Sequence, residues 1–342
     1  MKKAHIEAID YHQAPNVITS DWIEEQIEDT LGRLDIPRGS LENITGIKER
    51  RFWEHGIKYY ETTTKAAIKV IEKAGIDSQD IECIINTSIC RDYIEPSQAS
   101  LVHGNLNLSP HCFNFDISNA CLGFVNGMEL IKTMINAGKI KKYGLLVSSE
   151  GSIKALENTL RMLKSTNCKM DDYKSNFATL TLGSGAVAML IANEDIAESQ
   201  HVINDAVNVA NTAEDHNKLC LASLDHSQMY ANTHGMMVEG IKLAVKTWAK
   251  ANQTWPNWND QYIDRYIPHQ TSNRQIEALC NACKLNHDKF HIILEKYGNM
   301  ASAALPMALI DAAETKTLNA GDQIALMGMG SGLNGTIMSL TW

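Results

Sequence analysis

Short apolar runs and longer amphipathic stretches take turns along this chain. Ile81–Asn86 (IECIIN), Phe113–Ile117 (FNFDI) and Tyr143–Ser149 (YGLLVSS) have the length of buried strands. Thr62–Ala74 (TTTKAAIKVIEKA) carries apolar positions three and four apart, which predicts a helix, and Gly75 is placed to stop it. A second helix is predicted from about Cys121 to Ala137. Strand and helix signals alternate to the end of the chain, the order expected of a layered α/β protein.

The second half replays the first. Glu239–Ala251 (EGIKLAVKTWAKA) reads as a helix, and Ile263–Pro268 (IDRYIP) as a strand followed by His269-Gln270-Thr271-Ser272. Asn86-Thr87-Ser88 stands at the matching place in the first half. Ile292–Tyr297 leads into Gly298-Asn299-Met300-Ala301, from which a helix is predicted to about Glu314. Both long helices end near an Asn-Ala-Gly tripeptide, 136–138 and 319–321, and an apolar strand follows each, Tyr143–Ser149 and Gln323–Met327. The letters match weakly, but the order of events repeats, which points to an internal duplication.

Bulk properties narrow the class. The 342 residues suffice for one large domain or two fused ones. A net charge of −9 argues against a protein that grips nucleic-acid phosphates, although it leaves room for a small basic patch facing CoA or an acidic carrier protein. No apolar run has the length of a membrane span, and the start, MKKAHIEAIDYH, lacks the apolar core of a signal peptide. The eight cysteines form no disulfide framework, so reduced thiols in a cytoplasm are expected.

Three residues carry candidate chemistry. Cys121, in ISNACLGFVNG, stands where a strand hands over to a helix. A lone cysteine is usually a small buried hydrophobe. A helix N-terminus, however, offers unpaired N–H groups and partial positive charge that lower a thiol's pKa. His269 follows a strand in YIPHQTSN, and Asn299 opens a helix in YGNMASAA, where an ordinary N-cap is the plain alternative. The duplication places Cys121 and Asn299 on equivalent helix starts and His269 at a strand end, so the three can converge on one site.

With these motifs in hand a resemblance is visible. DISNACLGF, PHQTSN, YGNMASAA and MGMGSGLNG, in this order and spacing, resemble the thiolase superfamily and, more narrowly, the ketoacyl synthase III group, over essentially the whole chain. The resemblance implies a thiolase-like α/β fold, two duplicated α/β halves in five layers (αβαβα), and a homodimer. The N-terminal half, 1–195, would hold the nucleophilic cysteine, and the C-terminal half, 196–342, the His and Asn. It implies an acyltransferase in which Cys121 takes an acyl group from a thioester. The oxyanion would rest on backbone N–H groups of Cys121 and of Ser331 in the Gly330-Ser331-Gly332 loop. His269 and Asn299 would hold the carbonyl of a second thioester for a Claisen condensation. No cofactor or metal is implied beyond the CoA or phosphopantetheine thioesters themselves.

The source of the enolate divides the subfamilies. A decarboxylating 3-oxoacyl-[acyl-carrier-protein] synthase III obtains it by CO₂ loss; a non-decarboxylating enzyme needs a base. In INTSICRDYIEPSQAS, Glu95 stands before Pro96, which fits the first position of a helix, and a plain surface carboxylate is the alternative reading. The setting Arg91-Asp92-Tyr93 before and Pro96-Ser97 after it resembles the OleA family, which joins two acyl-CoA molecules head to head to a 2-alkyl-3-oxoacyl product. There a Glu in this motif is the base and reaches into the partner subunit's site. Arg50-Arg51-Phe52-Trp53 and Leu180–Gly185 resemble that family too. Ser40–Thr45, ahead of Gly46-Ile47-Lys48-Glu49-Arg50, lacks the Trp and Arg with which synthase III enzymes grip the CoA adenine. Arg274, by contrast, resembles their arginine for docking acyl carrier protein, so a carrier-protein substrate stays open. The glycine loop near the C-terminus, Gly328-Met329-Gly330-Ser331-Gly332, has no second thiolase cysteine. A non-catalytic scaffold would have lost the nucleophile. Cys280 and Cys283 are expected one turn apart on the helix after Ser272, as structural residues rather than metal ligands.

Overall fold

The computed structural model describes residues 2–213 and 215–342. Nine strands form one continuous sheet: β1 (Ala4–Gln13), β2 (Ile81–Asn86), β3 (Phe113–Asp116), β4 (Tyr143–Glu150), β5 (Gly185–Asn193), β6 (Val202–Ala210), β7 (Arg265–Pro268), β8 (Gln323–Gly330) and β9 (Asn334–Thr341). Their spatial order is β7-β8-β9-β6-β1-β5-β4-β2-β3.

The order repeats in space as it does in sequence. β1 pairs antiparallel with β5, β5 antiparallel with β4, and β4 and β2 run parallel, as do β2 and β3. In the second half β6 pairs antiparallel with β9, β9 antiparallel with β8, and β8 and β7 run parallel. A parallel bridge from Tyr266 to Phe290 stands where a fifth strand would lie. The two sets meet at β1 and β6 through Ala4–Ile203 and His5–Val202.

Six helices build the layers: α1 (Tyr59–Ala74), α2 (Gln98–Asn105), α3 (Gly123–Asn136), α4 (Thr233–Thr254), α5 (Asn273–Cys283) and α6 (Ala304–Glu314). α3 and α6 share the central core: Phe124, Met128 and Ile131 pack with Leu305, Leu309 and strand residues of both halves, among them Met189 and Leu326. α6 is buried from Ala304 to Ile310, as a helix enclosed on all sides must be. α1 covers the outer face of the first half with Ala66, Ala67 and Val70. α4 and α5 cover the second with Trp248, Ile276 and Leu279. This is the five-layer αβαβα arrangement.

Several boundaries differ from the sequence reading, each for a local reason. α1 begins at Tyr59, three residues early, because the Asp92 carboxylate accepts the Tyr60 N–H at 2.9 Å and caps it from outside. α3 begins at Gly123, so Cys121 lies in the turn ahead of it. Pro96 is not helical: Ser97 is the N-cap of α2 and accepts from Ser100 N–H. α4 starts at Thr233, capped by Asn232, and runs to Thr254. Ile292–Tyr297 ends in a short helical turn, Leu294–Tyr297. α6 begins at Ala304, five residues after Asn299, and ends at Glu314 as expected. The first Asn-Ala-Gly is the end of α3, with Ala137 as its C-cap, whereas the second lies in the turn beyond α6; Gly138 at φ +68° and Gly321 at +91° turn the chain at each. Cys280 and Cys283 do lie one turn apart on α5, in the core of the second half, behind a Ser272 cap at 3.1 Å. No helix of the described residues is long and apolar enough to cross a membrane.

Candidate active site

Cys121 is reached through a strained turn. Ala120 takes φ +47°, unusual for a residue with a side chain, and Leu122 N–H bonds back to Asn119 C=O at 2.9 Å. Asn119 is locked on both sides: its amide donates to Asn126 at 2.7 Å and its oxygen accepts from Asn334 at 3.0 Å. The second of these bonds crosses from one half of the chain to the other. The end of β8 then lies against the backbone of Cys121. A Cβ on Gly330 would stand 3.3 Å from Asn119 O and 3.4 Å from Cys121 N. Ser331 follows in the turn, next to the Cys220 thiol.

The expectation that the helix lowers this thiol's pKa is corrected. Cys121 stands two residues ahead of the first helical residue. Burial pushes its thiol upward, and Cys220 and Glu150 push the same way. The Cys121 side chain is thus held toward its neutral thiol form.

His269 ends β7. Its N–H donates to Met327 O at 2.8 Å, and its C=O accepts from the buried Gln275 amide at 3.3 Å. The ring is buried, which lowers its pKa to about 4, and its Nδ1 has no partner. A buried polar atom left unpaired in an otherwise bonded segment marks a place where a ligand atom fits. β8 thus joins the two residues: Met327 holds His269, Gly328 lies under Leu122, and Gly330 touches Cys121.

Asn299 is held by its backbone between Thr181 O and Gly183 N, both at 2.9 Å. Its side-chain oxygen accepts Ala301 N–H at 2.9 Å, which leaves the amide N–H₂ free to donate. Two glycines allow the crossing. A Cβ on Gly183 would overlap Tyr297 O, and one on Gly298, at φ +62°, would stand 2.7 Å from Thr181 O. Beneath them Arg50, 0% exposed, donates to Ser20 and to Leu180 O, both at 3.0 Å. The Arg50 and Leu180–Gly185 motifs are therefore two sides of one support for Asn299.

Sequence reasoning missed Glu150. It ends β4, is 2% exposed, and accepts from Ile89 N–H at 2.9 Å, Cys90 N–H at 3.1 Å and the Ser302 hydroxyl. Burial raises its pKa, and those hydrogen bonds pull it back in part. A strand-end glutamate looks like a surface residue in sequence, since its partners lie about sixty residues away on one side and 150 on the other. Glu95 and Arg274 are not part of this cluster within one chain. Both are exposed, and the Glu95 carboxylate has no hydrogen bond or ion pair among the described residues. Nor is there a metal-binding group of three His, Cys, Asp or Glu among them.

A thiol beside backbone N–H groups, a neutral imidazole and a free amide form a site for carbonyl chemistry on an uncharged acyl group. Together with the five-layer duplicated fold, this is a thiolase-fold acyltransferase that condenses thioesters. Residues 115–208 match the 3-oxoacyl-[acyl-carrier-protein] synthase III family and residues 255–342 its C-terminal family. The chain belongs to that family. An acyl-CoA:acyl-CoA alkyltransferase of Xanthomonas campestris pv. campestris is 36% identical over 339 residues, 99% of this chain and 97% of that one. The protein of the same description from Shewanella oneidensis is 30% identical over 351 residues, 99% of each. The crystal structure of a cysteine-to-serine variant of Xanthomonas campestris OleA with bound lauric acid and lauroyl-CoA superposes at a TM-score of 0.95, with 35% identity and 99% of each chain covered.

Two outcomes follow from the site's packing. Gly183→Ala is expected to lose about 1–3 kcal/mol, because the obstructing atom is backbone, and to lose activity with the displaced Asn299. Gly104→Ala, in α2 with open space around it, is expected to hold or raise the melting temperature. Equal melting temperatures for the two variants would contradict the packing argument. The His269 ring provides the second. Below about pH 6.5 the unfolded imidazole takes a proton, while the folded ring stays neutral to about pH 4. Stability present above pH 6.5 is therefore lost as the pH falls to 4, by about 3 kcal/mol. Denaturant melts should show His269→Gln losing less stability over that range than the parent; identical losses would contradict the buried neutral ring.

Proposed function

We propose that this chain joins two acyl-CoA molecules by a Claisen condensation without loss of CO₂, giving a 2-alkyl-3-oxoacyl product. Cys121 attacks the first thioester: the sulfur–carbonyl bond forms, and CoA leaves as its thiol with the cysteine proton. Backbone N–H groups of Cys121 and Ser331 hold the oxyanion. His269 and the Asn299 amide donate to the carbonyl of the second thioester. Glu95 removes its α-proton, and the enolate carbon attacks acyl-Cys121, releasing the thiolate as the C–C bond forms.

The observation that carries this reading is where Glu95 stands. It is exposed with Tyr93, Ile94 and Pro96 on a braced loop, without a hydrogen bond or ion pair to its own chain among the described residues, and Ile94 is 84% exposed. Beside it β3 is the edge strand of the sheet, with Phe113 53% exposed. An open edge flanked by apolar side chains is a surface that a second copy of the chain can cover. In such a homodimer Glu95 serves the partner's site. The relatives described as acyl-CoA:acyl-CoA alkyltransferases support the choice of acyl-CoA on both sides. The eight free thiols suit a reducing compartment such as the cytoplasm.

Incubation with lauroyl-CoA alone is expected to give both acyl-Cys121 and a 3-oxoacyl product by mass spectrometry. Glu95→Gln is expected to acylate Cys121 normally and to condense at least ~100-fold more slowly. Acyl-enzyme that waits for a malonyl-carrier protein and then releases CO₂ would contradict the proposal. The enzyme would then be a decarboxylating synthase, with Arg274, exposed at the start of α5, as a docking residue.

A further inference from the structure

The segment that carries Glu95 leaves β2 at Asn86 and is held by side chains from distant elements. Ile89 and Cys90 N–H donate to Glu150. The Arg91 side chain faces Asp116 at 3.6 Å, and Asp92 caps α1. Between these anchors, Arg91 N–H donates to His226 Nε2 at 3.0 Å, and Arg91 C=O lies 3.3 Å from the same nitrogen.

His226 comes from a hairpin of the second half, Cys220–Ala222 paired antiparallel with Met229–Ala231. Its turn is tightly built. Asp225 accepts from the Ser223 hydroxyl at 2.6 Å, the Ser227 hydroxyl at 2.8 Å and Ser227 N–H at 3.2 Å, and His226 itself takes φ +57°. A non-glycine residue in that region is strained, and strain persists where surrounding structure fixes it. The turn presents the imidazole to the Arg91 backbone and to the edge of the Tyr59 ring, with centroids 6.3 Å apart. The base of this hairpin also lies near the surroundings of Cys121, since Cys220 neighbours Ser331.

We propose that His226 is a positioning residue for the condensation step: by accepting the Arg91 N–H it sets the pose of the loop that delivers Glu95. This rests on the reading of Glu95 as the base. His226 touches no substrate and acts through four residues of backbone. The groups facing it are Arg91 and Asp92 on the loop, Tyr59 on α1, Lys154 on the helix Ile153–Leu163, and Asp225 in its own turn. Burial first, then Lys154, lower its pKa, and Arg91 C=O, Asp225 and Asp92 oppose them. At neutral pH the ring is uncharged and its lone pair faces the Arg91 N–H. A proton on Nε2 sets N–H against N–H and removes the acceptor. Condensation should therefore fall off as the pH drops through the ring's pKa, below the usual 6.5, while acylation of Cys121 does not.

The test is rapid-quench single turnover with lauroyl-CoA, reading acyl-Cys121 and condensed product separately, on the parent, His226→Ala, His226→Gln and Glu95→Gln. His226→Ala is expected to acylate within about twofold of the parent and to condense about 10-fold more slowly. His226→Gln offers an amide oxygen to the same N–H. It is expected to recover most of the condensation rate and to move the acid limb to lower pH, leaving the limb that the Glu95 base itself sets. If Glu95→Gln fails to condense while His226→Ala condenses like the parent, the positioning role is overturned. An equal fall in both steps overturns it too, as a general structural effect. Should His226→Ala not fold, an acid limb that stays at the parent's pH in His226→Gln overturns the role on its own. Parental condensation by Glu95→Gln overturns the reading of the base itself, which is a separate result.

Discussion

The site depends on a contact without side chains: the end of β8 pressed against the turn that carries Cys121. Gly328 and Gly330 leave room for Leu122 and for the Cys121 backbone, and Asn334 ties the same turn by its amide. One strand pair further on, Met327 fixes His269. A methyl group at Gly330 would stand 3.3 Å from Asn119 O and 3.4 Å from Cys121 N, so the turn would have to give by a few tenths of an ångström. Because β8 belongs to the second half and Cys121 to the first, this contact makes one active site from two repeats.

Dehydration sets the chemistry of that site. It raises Cys121, lowers His269 and raises Glu150, so the pocket favours neutral forms throughout. Such a pocket suits acyl thioesters, and its free donors, the His269 ring and the Asn299 amide, meet charge where it develops on a carbonyl oxygen. A carboxylate that removes an α-proton is better kept in water until substrate is bound, and the exposed Glu95 proposed for that role meets the requirement. The loop itself is not loose: Glu150, His226 and the Asp92 cap hold successive parts of its backbone.

β2, β4, β7 and β8 were legible because their runs are almost wholly buried, and the duplication was legible because strand order follows element order. Helix starts were less so. α1 begins where Asp92 caps it from 32 residues away, which no local pattern announces. The Cys121 turn escaped for a related reason: Ala120, at φ +47°, is not a residue that signals a left-handed turn. Cys121, His269 and Asn299 could be named from motifs, but the direction of the thiol's pKa could not, because burial is a property of the assembled halves. Glu150 and His226 were silent in sequence, since each acts on backbone groups far along the chain.

The central claim is that one catalytic centre is built from two chains. Cys121→Ala and Glu95→Gln proteins, each inactive in condensation, can be unfolded together, refolded as a mixture and assayed with lauroyl-CoA. A hybrid dimer holds one centre with Cys121 from one chain and Glu95 from its partner, so mixing is predicted to restore condensation. A mixture as inactive as its components, with hybrid dimers demonstrated by mass, would contradict that claim.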